Sequence, residues 1–97
     1  MDQTVSTATE SYQLFHSPTC GFCHRVRRHL DQLGIEIPLR DTLRDPGARA
    51  ELIQGGGRAT VPCLRIERDG EVRWMYESLD IMKYLEANAV RTGRFDA

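Results

Sequence analysis

Apolar and polar residues alternate through Tyr12-Gln13-Leu14-Phe15-His16 and stop at Ser17-Pro18, which predicts a short strand ending in a turn. The period then changes. From Phe22, the positions Val26, Leu30 and Leu33 recur at helical spacing and Gly34 offers a left-handed stop, so a helix is predicted directly after Cys20. Ile35 to Leu39 returns to strand-like alternation, and a strand reached through a helix makes a β-α-β crossover and a parallel pair. Asp45 before Pro46 reads as an N-cap with proline at the first helical position; the helix continues to Gly55-Gly56-Gly57. Residues 60–68 and 71–76 read as strands joined by the hairpin pair Asp69-Gly70. Ser78 reads as the N-cap of a last helix with an apolar stripe of Leu79, Met82 and Leu85, widened by Ile81 and Tyr84. The order β-α-β-α-β-β-α implies an α/β fold, a four-stranded mixed sheet flanked by three helices.

Residues 1–10 are polar and aperiodic and read as a mobile tail, leaving 11–97 as a single domain. With 40% hydrophobic and 28% charged residues the composition is that of an ordinary globular domain, and a formal charge of −1 provides no general field for nucleic acid or an anionic membrane. The start lacks a basic n-region and an apolar h-region, so a cytoplasmic protein is expected. In that compartment thiols stay reduced, and Cys20, Cys23 and Cys63 point to chemistry rather than to a disulfide framework.

Cys20-Gly21-Phe22-Cys23-His24 permits a redox dithiol, half of a metal site or a c-type haem attachment. A structural zinc would have to recruit His24 and Cys63, yet no second C-x-x-C or H-x-x-x-H is present and the helix turns His24 outward. Haem has the letters and potential axial ligands in Met75 and Met82, but neither an export signal nor a suitable pattern of elements. The dithiol is favoured. A helix beginning at the motif aims unpaired N–H groups at Cys20 and favours an anion there, and Arg25 and Arg28 would add positive potential if they turn toward it. Cys20 is then the nucleophile, with Cys23 placed to resolve a mixed disulfide.

"SPTCGFCHRVRRHL", then "GGRATVPCL", "DG" and a final helix resemble the glutaredoxins of the thioredoxin fold over residues 12–88. The resemblance implies a monomeric glutathione-dependent thiol–disulfide oxidoreductase acting on disulfide-containing or glutathionylated proteins, with Cys20 and Cys23 catalytic. It implies a cis peptide before Pro62, with Val61 offering its backbone to the cysteinyl part of glutathione. Phe22 would flank that ligand and Arg58 would meet one of its carboxylates. "YESLDIMKYL" is similar to the glutathione-binding stretch of glutathione transferase N-terminal domains, which would give Glu77 and Ser78 the γ-glutamyl end. Two departures stand out. Ser17 replaces the lysine frequent three positions before the first cysteine, and C-G-F is shared with monothiol C-G-F-S proteins that hold a 2Fe–2S cluster between two subunits with glutathione. That similarity implies an alternative, a cluster carrier using Cys20 as its ligand. Strand alternation makes Cys63 a buried packing residue on the face opposite Pro62.

Overall fold

A computed structural model describes residues 10–89. It contains β1 (Ser11–His16), α1 (Gly21–Leu33), β2 (Leu39–Asp41), α2 (Pro46–Gly56), β3 (Cys63–Arg68), β4 (Glu71–Met75) and α3 (Ser78–Asn88). The sheet order is β2-β1-β3-β4, with β1 parallel to β2 and antiparallel to β3, and β3 antiparallel to β4. This is the thioredoxin-like arrangement that the sequence pattern predicts. Among the described residues no helix is long and apolar enough to cross a membrane. Residues 1–9 of the expected tail lie outside the described residues, whereas Glu10 accepts hydrogen bonds from the Tyr12 and Tyr84 hydroxyls, both at 2.6 Å.

β1 is central, so its alternation feeds two cores. Leu14 joins Val26, Leu30, Leu64, Ile66, Ile81 and Leu85 beneath α1 and α3. Phe15 points the other way, into a smaller core with Ala48, Leu52 and Cys63 beneath α2.

Several features differ from the sequence reading, each for a physical reason; the strand expected over 60–68 begins only at Cys63, because Pro62 has no N–H to give to a ladder. The second strand begins at Leu39 rather than Ile35. Gly34 caps α1 at φ 72°, and the Ile35 N–H bonds back to the Leu30 carbonyl at 3.0 Å, so Ile35 closes the helix instead of joining a ladder. Ser78 is not the N-cap: Glu77 occupies that position, with no side-chain cap bond, and Ser78 is the first helical residue. The stripe of α3 is Ile81, Leu85 and Ala89, all buried, while Leu79 is 62% exposed. Leu79 precedes Ile81 by two residues, which puts it on the far side of a helix with 3.6 residues per turn.

Gly55 and Gly56 lie inside α2 although glycine weakens a helix. A Cβ on Gly55 would overlap the Trp74 ring, and one on Gly56 would overlap the Tyr76 hydroxyl. Gly55→Ala is therefore expected to destabilise the domain by about 1–3 kcal/mol in denaturant unfolding, against the ~1 kcal/mol gain that alanine normally brings to a helix. A stabilised variant would show that Trp74 moves aside freely.

Candidate active site

The turn after β1 carries the chain into the cysteine pair. Ser17 Oγ accepts the Thr19 N–H at 3.4 Å, and the Cys20 N–H reaches the Ser17 carbonyl at 3.1 Å. Cys20 is the N-cap of α1, with extended backbone (φ −92°, ψ 118°), and its Sγ accepts the Cys23 N–H at 3.2 Å. The sulfur thereby takes the place of an N-cap oxygen against a helix N-terminus. Cys20 is partly exposed and Cys23 is fully buried under it. Burial pushes the Cys23 thiol up to about 12, the bond to Cys20 adds to this, and the Ser17 backbone and the Arg27 charge oppose it.

The arginines do not divide as the sequence suggested. Arg25 stacks over the Phe22 ring at 5.8 Å, and Arg28 lines a separate groove with Arg27, Asp31 and Glu36. Arg27 is the one whose charge acts on Cys23 and on buried His16. It follows Cys23 by four residues, so helical spacing carried that signal. His24 is exposed, and its Nε2 donates to the Pro18 carbonyl at 2.9 Å, tying the helix to the preceding turn.

The Val61–Pro62 peptide is cis. It brings the Val61 carbonyl to 3.8 Å from Cys20 Sγ, across 41 residues of sequence. Beside this contact is a pocket of about 210 Å3 lined by Phe22, Arg58, Thr60, Val61, Pro62, Tyr76, Glu77 and Ser78. All six residues that the resemblance pointed to as ligand contacts meet there. Thr60 and Tyr76 were not foreseen. Glu77 has φ 64°, a left-handed conformation uncommon for a residue with a side chain, and it turns the start of α3 toward the pocket. Cys63 is fully buried in the α2 core, where burial pushes its thiol up to about 11.

A 2Fe–2S cluster takes four ligands, commonly thiolates. With Cys23 and Cys63 buried, each chain presents one accessible thiol, Cys20. Among the described residues no group of three or more His, Cys, Asp or Glu side chains comes together to hold a metal ion.

A thioredoxin-type sheet, a C-x-x-C at a helix start and a cis-proline facing the first sulfur together define a thioredoxin-fold protein. The glutaredoxin family model matches residues 12–72, and the chain belongs to that family. No match was found among curated proteins. Solved structures share the fold. A maleylacetoacetate isomerase from Anaeromyxobacter dehalogenans with glutathione in its active site is 23% identical, with a TM-score of 0.62 over 82% of this chain; the match spans only 38% of the isomerase. The buckwheat glutaredoxin–glutathione complex is 22% identical, TM-score 0.60, with 86% of this chain and 74% of that one covered. A Brucella melitensis glutaredoxin is 20% identical, TM-score 0.53, with 91% and 90% covered.

Proposed function

We propose that the protein is a glutathione-dependent thiol–disulfide oxidoreductase that removes glutathione from proteins and reduces protein disulfides. The observation that carries this reading is the placement of Cys20 Sγ, which is held by the Cys23 N–H at 3.2 Å and faces Val61 O at 3.8 Å beside the pocket. Val61 and Pro62 receive the cysteinyl portion of glutathione in an extended, strand-like pose. Phe22 covers it, Arg58 meets one carboxylate, and Glu77, Ser78 and the start of α3 take the γ-glutamyl end.

Cys20 thiolate attacks the glutathione sulfur of a mixed disulfide. The substrate–glutathione S–S bond breaks, a Cys20–glutathione disulfide forms, and the substrate thiolate leaves and takes a proton. A second glutathione thiolate then attacks that disulfide, releasing oxidised glutathione and restoring Cys20. Alternatively Cys23 loses its proton and attacks Cys20 Sγ; glutathione leaves, and the Cys20–Cys23 disulfide is reduced by two further glutathiones. One chain suffices for either route, and both need a reducing compartment such as the cytoplasm.

The test is a glutathione-coupled assay on a glutathionylated peptide, in which the protein is expected to turn over catalytically. Anaerobic treatment with iron, sulfide and glutathione is expected to leave a colourless, active monomer. A brown dimer inactive in the peptide assay would instead make a cluster bridged by Cys20 of two chains the main role.

A further inference from the structure

Arg58 is exposed and forms no ion pair with any described residue, yet its position is defined at two points by one side chain. Its carbonyl accepts the Tyr76 hydroxyl proton at 3.0 Å, and its guanidinium carbon lies 4.2 Å from the centre of the Tyr76 ring. Tyr76 is itself fixed. Its hydroxyl passes over Gly56, where no Cβ would fit, and lies against the Cys63 side chain in the α2 core. The ring stands at the end of β4, next to Glu77, and lines the same pocket as Phe22, Val61 and Pro62.

An arginine free in solvent loses considerable rotamer freedom when it binds a carboxylate. A stacked guanidinium whose backbone is also pinned has lost much of that freedom beforehand, so less is lost on binding. We propose that Tyr76 is a positioning residue that holds Arg58 ready for a glutathione carboxylate, and that this pair makes the protein prefer glutathione mixed disulfides over disulfides of uncharged small thiols. The inference rests on the glutathione reading of the pocket.

The experiment is single-turnover reaction of the reduced protein with one peptide in two forms, disulfide-bonded to glutathione or to 2-mercaptoethanol. The quantity read is the ratio of the two second-order rate constants. Tyr76→Leu is expected to lower this ratio about two- to fivefold, the fold-change that an exposed cation–π contact corresponds to. Tyr76→Phe keeps the ring and is expected to retain more of the ratio. Arg58→Ala lowers the ratio itself, and in that background Tyr76→Leu is expected to lower it no further. If Tyr76→Leu does not fold, Tyr76→Phe carries the same cycle, its smaller fall vanishing in the Arg58→Ala background.

A wild-type ratio that survives either Tyr76 substitution overturns the inference, as does an undiminished fall in the Arg58→Ala background. A general loss of packing would slow both peptides and leave the ratio in place. Wild-type protein that reacts equally with both peptides would remove the glutathione reading itself, and the inference with it.

Discussion

Cys20→Ser is expected to lose reduction of a glutathionylated peptide by at least about a thousandfold, whereas Cys23→Ser keeps a large part of the wild-type rate at neutral pH. The first loss follows from removing the nucleophile, the step on which both routes depend. The second outcome follows from burial. Cys23 has no exposed surface and burial, the largest cause, pushes its thiol up to about 12 in the reduced pair, so the thiolate that resolves the Cys20 mixed disulfide is scarce at neutral pH. External glutathione, with a thiol near the ordinary range, has far more thiolate at that pH and takes over the second half of the cycle. The sign of the pH dependence is fixed by the raised value. Closure of the Cys20–Cys23 disulfide, followed without free glutathione, should accelerate steadily as the pH rises above 7, because burial holds the Cys23 thiol above its ordinary range and the thiolate fraction grows with pH below the pKa. A closure rate flat above neutral pH would mean that Cys23 ionises near neutrality in the mixed disulfide. Full activity of Cys20→Ser would remove the nucleophile assignment altogether.

Phe15→Ala is expected to cost about 3–5 kcal/mol of stability, the range for emptying a buried aromatic site. Phe15 is fully buried and packs with Ala48, Leu52 and Cys63. Its ring lies 5.4 Å from that of Trp74, and the Arg40 guanidinium covers it at 5.2 Å. This side of the sheet has one helix, α2, so few neighbours can close over the gap. In a domain of this size the thermal midpoint should fall by about 15 °C or more. The loss also reaches the site, because Phe15 pairs across the ladder with Cys63, the residue after the cis-proline. A midpoint within about 5 °C of wild type would show that the α2 side collapses around the missing ring.

Periodicity and turn chemistry determined much of this protein in advance. The switch from period two to period 3.6 after Ser17-Pro18, the Asp45-Pro46 helix start and the Asp69-Gly70 hairpin are local signals, set by backbone sterics within a few residues. They gave the element order, and the C-x-x-C with its T-V-P partner gave the chemistry class. Where a second element intervened, the local signal failed. Ile35 looks like a strand residue but finishes α1, and Leu79 looks like core but faces solvent because α3 starts from Glu77.

The choice of site residues followed the same division. Cys20, Cys23 and Pro62 carry their meaning in short motifs. Arg27, one helical turn beyond Cys23, is the arginine whose charge acts on that thiol, whereas Arg25 lies over the Phe22 ring, a division that helix phase decides. Tyr76 opens the Y-E-S-L-D stretch, but nothing in that stretch assigned it a role: its contacts to Arg58 and Gly56 join the end of β4 to the end of α2 across about 20 residues. The sequence alone thus determined the fold and singled out Cys20 and Cys23 as the proposed nucleophile and resolving thiol, since these rest on local conformation and on residue types with few other uses. Only the tertiary structure decided how deeply Cys23 is buried and what holds Arg58, because burial and stacking depend on which distant surfaces meet.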